Sequence, residues 1–157
     1  MLTHARALLT SVTGTTAYLD SDVRNPAPIL SGAAATLDFS QPVAVMLIAI
    51  MHCVADEDDP YGIVRRLMDA VPPGSYLVLS QPALDQAPEH AAEAEAALTR
   101  SMRQEVTFRT DDQVERFFDG LELLEPGVVA LPEWRPDDPV DPDGPVTGMW
   151  GGAGRRL

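Results

Sequence analysis

The chain has 157 residues, enough for one domain with its own hydrophobic core. At 45% hydrophobic residues it is globular, and with 24 Asp and Glu against 11 Lys and Arg its formal net charge is −13. A surface that negative repels phosphate backbones and anionic lipid heads, which argues against nucleic-acid and membrane-surface partners. The longest apolar run is too short to span a bilayer, and residues 1–11 lack a basic segment followed by an apolar one, so no signal peptide is expected. The single Cys53 excludes an intramolecular disulfide framework. These observations fit a cytoplasmic protein.

In chain order, residues 2–11 read as a helix, with Leu2, Ala5, Leu8 and Leu9 at helical spacing. Residues 15–19 form a short strand candidate ending at Asp20-Ser-Asp22. Asn25-Pro-Ala-Pro28 marks a loop, and residues 29–35 a short helix. The stretch Pro42-Val-Ala-Val-Met-Leu-Ile-Ala-Ile-Met-His-Cys-Val54 is almost wholly apolar and does not alternate with polar residues. A continuous run of this kind predicts a central strand buried on both faces. A buried helix is the competing reading, but the length and the Val and Ile content favour the strand.

Asp59 followed by Pro60 predicts a helix start: a capping carboxylate, then proline at the first helical position. Ile63, Val64, Leu67, Met68 and Val71 form its apolar stripe, and Pro72-Pro-Gly74 stops it. Residues 75–80 are a second buried strand, so the middle of the chain is a strand–helix–strand unit with a right-handed crossover. Residues 89–104 are an Ala-rich surface helix. Thr110-Asp-Asp-Gln113 is a capping box opening a further helix with Val114, Phe117 and Phe118 inward and Gly120 at its end. One or two strands surround Pro126-Gly127. Residues 132–145, crowded with Pro and Asp, read as a loop, and residues 149–157 as a final short strand.

The blocks His4-Ala-Arg-Ala-Leu-Leu9, Tyr18-Leu-Asp-Ser-Asp-Val-Arg-Asn-Pro26, the apolar strand ending Met51-His52, and Asp58-Asp-Pro-Tyr-Gly-Ile63 carry a resemblance. So do Pro72-Pro-Gly-Ser-Tyr-Leu-Val-Leu-Ser80, Arg116-Phe-Phe-Asp-Gly-Leu-Glu-Leu123 and Trp150-Gly-Gly152. In this order they resemble an actinobacterial family of S-adenosylmethionine-dependent methyltransferases, a domain of unknown function with the class I methyltransferase fold. The resemblance runs nearly end to end.

It implies an α/β, Rossmann-like sheet with strand order 3-2-1-4-5-7-6. Residues 2–11 are then the helix after strand 2, residues 15–19 strand 3, residues 42–51 strand 4 and residues 75–80 strand 5, with strands 6 and 7 after Gly120. Strands 1 and 2 are absent, and with them the Gly-rich turn and the ribose-binding carboxylate. Gly151-Gly-Ala-Gly154, the densest glycine cluster, has no helix after it and is not a cofactor loop. The expectation is a single partial methyltransferase domain over residues 1–157, the carboxyl-terminal part of such an enzyme.

The same resemblance implies S-adenosylmethionine as cofactor and methyl transfer to a small-molecule acceptor. Asp22 would accept from the adenine amino group and Val23 would line the ring. Ala49 and Ile50 would touch the cofactor by backbone and apolar contact. Each has a plainer reading: Asp22 as a turn carboxylate bonding its own loop, Ala49 and Ile50 as core. His52, at the end of strand 4, is the candidate catalytic residue, able to orient or deprotonate an acceptor. Its plainer reading is a histidine packed under the next helix.

Asp56-Glu-Asp-Asp59 lacks the spacing of a calcium loop, and His4 and His90 have no partner at ligand spacing, so no metal site is expected. Cys53 reads as a small buried hydrophobe. With neither a nucleophile elbow nor G-x-G-x-x-G, a hydrolase or nicotinamide enzyme is disfavoured. A non-catalytic remnant or partner-binding domain is the alternative function. Without strands 1 and 2, one edge of strand 4 is expected to be open to self-association.

Overall fold

In the computed structural model, residues 16–141, 144 and 146–157 are described. The helix expected at residues 2–11 lies outside them. One five-stranded sheet holds β1 (Ala44–Ile48), β2 (Tyr76–Pro82), β3 (Glu122–Leu123), β4 (Val129–Ala130) and β5 (Met149–Arg155), in the order β1-β2-β5-β3 with β4 also on β5. β1 and β2 are parallel, pairing Ala44 with Tyr76 through Ile48 with Ser80. β5 runs antiparallel to β2, β3 and β4. This is the 4-5-7-6 half of the strand order the resemblance implies. Among the described residues four α-helices accompany the sheet: α1 (Pro26–Ala34), α2 (Pro60–Asp69), α3 (Pro88–Met102) and α4 (Asp111–Glu115).

The crossover helix α2 forms as its sequence dictates. Asp59 Oδ1 accepts from Gly62 N at 3.0 Å, satisfying one of the amides left free at a helix start. Gly62 is required there: a Cβ would lie 1.8 Å from the Asp59 carboxylate. The apolar stripe Ile63, Val64, Leu67 and Met68 packs on Leu47, Leu77 and Leu79 of the parallel pair, closed by Phe117 and Phe118. The capping box at Thr110 is present, and the Phe pair sits on the short 3₁₀ turn Arg116–Phe118 that follows α4.

Several expectations need correction. β1 is five residues long and its side chains alternate, with Leu47 buried and Met46 and Ile48 62% and 47% exposed. It is therefore covered on one face only, because α2 packs on the Leu47 side and the described residues put no helix opposite. Of the strand expected at residues 15–19, the described residues 16–19 are not in a strand. The helix expected at residues 29–35 begins at Pro26, because proline at the first helical position needs no amide partner. The final strand expected at residues 149–157 is present as Met149–Arg155, between β2 and β3 as the implied order requires. Its glycines make that position possible: a Cβ on Gly151 would sit 2.6 Å from Leu131 Cδ1, and one on Gly154 2.9 Å from Phe118 Cδ1. Cys53 is half-buried rather than core.

Candidate functional site

In open α/β sheets ligands bind beyond the carboxyl ends of the parallel strands. At that edge β1 ends in a residue of unusual conformation. Ala49 has φ of 49°, the left-handed region that a Cβ disfavours. Its amide is held by β2, donating to Ser80 O at 3.2 Å and Ser80 Oγ at 3.0 Å. The reversal leaves Ile50 partly exposed and feeds the chain into two 3₁₀ turns, Met51–Cys53 and Asp56–Asp58.

Two arginines pin this 51–58 segment. Arg24 Nη2 donates to Cys53 O at 2.7 Å and Arg24 Nε to Asp58 Oδ2 at 2.9 Å. The same guanidinium donates to Asp22 Oδ2 at 2.9 Å, while Arg24 N donates to Asp22 Oδ1 at 2.9 Å. Asp22 is thus tied to the turn that carries His52, and the two share one edge of the sheet. Its carboxyl group is held below the ordinary carboxylate range, first by the Arg24 amide and then by the Arg24 side chain. From the other side, Arg109 reaches the same segment. It is fully buried, with Nη1 on Met51 O at 3.0 Å and Nη2 on Val54 O at 2.9 Å and Asp56 Oδ1 at 2.7 Å.

His52 is 5% exposed, and its Nδ1 is buried without a partner. Its imidazole is therefore packed rather than open to a crevice. Burial first, and the charge of Arg109 second, push its pKa below 6.5, so the neutral ring dominates at pH 7. Burial likewise raises the Cys53 thiol. The acidic run is spent locally: Asp56 on Arg109, Asp58 on Arg24, Asp59 on the α2 cap.

Sequence reasoning placed Asp22, Val23, Ala49, Ile50 and His52 and missed Arg24, Ser80 and Arg109. The missed arginine had a signal. Arg109 is a lone cation in Val106-Thr-Phe-Arg, immediately before a capping box, where a charge on a buried segment must have carbonyl partners. Next to the β1 end, on the uncovered face of the sheet, lies a pocket of about 180 Å³ lined by Ile48, Val78, Ser80, Leu131 and Trp134. Trp134 Nε1 is buried without a partner.

A parallel β1–β2 pair with α2 crossing between them, a last strand inserted antiparallel, and a kinked turn at the carboxyl edge define a class I methyltransferase-type fold. The chain belongs to the S-adenosyl methyltransferase family, whose model matches residues 1–157. It is 40% identical to a DUF574-family protein from Streptomyces avermitilis, with a TM-score of 0.89 over 99% of this chain and 61% of that one. It is 39% identical to a provisionally named methyltransferase from Thermobifida fusca, with a TM-score of 0.85 over 99% of this chain and 59% of that one. The chain thus spans about three fifths of the length of these two relatives. No curated protein matches it. Among the described residues no helix is long and apolar enough to cross a membrane.

Proposed function

We propose that this domain serves transfer of a methyl group from S-adenosylmethionine to a small-molecule acceptor, at the carboxyl edge of β1 and β2. The observation that carries the reading is the Ala49 turn: a left-handed residue fixed by Ser80 at the point where this fold binds its cofactor. The residues fit the adenine half of the group. Asp22 stays largely exposed and has acceptor capacity beyond its two bonds to Arg24, enough for an amino group. Val23 and Ile50 supply apolar contact. When bound, the cofactor supplies an electrophilic methyl carbon on a sulfonium. The chain's own part is to hold a neutral His52 near that edge and to offer an acceptor the apolar pocket beside Ile48, with Trp134 N–H as a donor. Positioning rather than acid–base chemistry would carry much of the rate.

The methionine and ribose end has no match in residues 1–157: there is no Gly-rich strand–turn–helix and no second carboxylate for the ribose. Two such anchors are worth roughly 1.5–3 kcal/mol each, so the chain by itself should bind the cofactor in the millimolar range. A non-catalytic, partner-binding role is the second reading. It is favoured by the open edge of β1, which among the described residues pairs only with β2, and by exposed Met46 and Ile48. Such an edge invites self-association. Calorimetric titration with S-adenosylmethionine tests both. Weak, saturable binding that S-adenosylhomocysteine competes away supports the methyltransferase reading. Micromolar binding would show that the missing anchors are not needed, and absence of saturable binding would favour the partner-binding role.

A further inference from the structure

We propose that Arg109 is a positioning residue for this site: its buried guanidinium fixes the turn at residues 51–56, so that the end of β1 and His52 form one rigid wall. What the wall serves rests on the methyltransferase reading; the clamp itself does not.

Three features carry the inference. The first is that every hydrogen bond of the guanidinium goes to this turn. Its three polar bonds go to Met51 O, Val54 O and Asp56 Oδ1, which span the turn from start to finish. The flat fork reaches two carbonyls and a carboxylate from two separate nitrogens, a span that the single nitrogen of a lysine lacks. The second is its anchorage. The Arg109 backbone pairs in parallel with Ala83 beside the end of β2, with Arg109 N donating to Pro82 O at 3.1 Å and Leu84 N donating to Arg109 O at 2.9 Å. Thr107 N donates to His52 O at 2.8 Å, and Gln81 Nε2 ties Thr107 O to β2 at 2.8 Å. The turn after β1 is thus referenced to β2 through one short segment. The third is cost. A fully buried charge whose Nε has no partner is expensive to keep; the Asp56 carboxylate and the two turn carbonyls offset it, with the Phe117 ring 5.5 Å from the guanidinium carbon adding a cation–π contact. A plain packing role needs no cation there. Around His52, the charges facing the turn are Arg109 on this side and Arg24, on Cys53 O, on the other.

Hydrogen exchange followed by NMR on the 157-residue chain tests the proposal, comparing the unmodified protein with Arg109→Lys and Asp56→Ala. In Arg109→Lys the amides of Cys53, Val54 and Thr107 should exchange about tenfold faster or more, with Leu77 and Leu79 changing by less than about twofold. Asp56→Ala keeps both carbonyl bonds and should give a smaller acceleration at the same amides, about threefold. Should Arg109→Lys fail to fold, Asp56→Ala decides. Acceleration spread evenly over the sheet, or none at Cys53 and Val54, overturns the proposal. A second readout is one that a filler residue would not move. The His52 ring signal, assigned with His52→Gln, should titrate at higher pH in Arg109→Gln, which removes the charge, and stay low in Arg109→Lys, which keeps it. Equal His52 titration in all three overturns the link to the site. None of these measurements needs cofactor. Failure of the methyltransferase reading would show separately, as no slowing of the same amides by S-adenosylhomocysteine in the unmodified chain.

Discussion

The two faces of the parallel pair differ although one apolar sequence builds both. On the α2 face, Leu47, Leu77 and Leu79 are buried against Ile63, Leu67 and Phe117. On the other, Met46, Ile48 and Tyr76 stay exposed, and the segment around Leu131 and Trp134 lies over part of it. An apolar run therefore reports which residues can be buried, and the partner element decides which are. The same contrast divides stability from function. The α2 face holds the domain together, while the carboxyl edge spends its polar groups on shaping a turn.

The largest effect should come from breaking the covered face. Leu79→Ala removes a side chain from the middle of the core and should cost about 2–5 kcal/mol, read as a lower midpoint in urea denaturation. Met46→Ala, on the uncovered face of the neighbouring strand opposite Val78, should change stability by no more than about 0.5 kcal/mol. Comparable losses in the two variants would mean that the open face is covered in solution. Met46→Lys sharpens this point: if the open edge and face drive self-association, light scattering should show a smaller mass for the variant than for the unmodified chain.

A smaller effect is expected at Ala49. A left-handed non-glycine residue stores about 1 kcal/mol or more of strain, and glycine adopts the same conformation freely. Ala49→Gly should therefore raise stability by up to about 1 kcal/mol in thermal melts, and a fall would show that Ala49 is not left-handed in solution.

The smallest effect is a matter of pH. His52 has a folded pKa below its unfolded 6.5, so below that pH the unfolded chain binds more protons than the folded one. Stability contributed by the neutral ring is complete above 6.5 and declines as pH falls from there toward the folded value. His52→Gln should flatten the dependence of the melting temperature on pH in that window. An unchanged slope would assign the acid sensitivity to other groups.

Much of the fold was legible in the sequence because its signals are local. Asp59-Pro60 and Thr110 with Gln113 specify helix starts through bonds made within one turn, and both are present. The parallel pairing of the two apolar strands followed from the helix between them. What was not legible depends on distant partners. The resemblance gave β5 its place between β2 and β3, but not the close approach of Phe118 and Leu131 to its glycines. The exposure of Met46 reflects that, among the described residues, no helix covers that face of β1. At the site, the resemblance named Asp22 and His52, but the reach of Arg24 to Cys53 and Asp58 and of Arg109 to the turn around His52 comes from contacts that no spacing rule encodes.

The central claim is that the cofactor site is the carboxyl edge of β1. Mapping amide shifts of the isotope-labelled chain during titration with S-adenosylhomocysteine tests it directly, even at millimolar affinity. The account predicts saturating changes confined to Val23, Arg24 and residues 49–56. Changes centred instead on the opposite edge, around Gly120 and Arg156, or no saturable change anywhere, would contradict it.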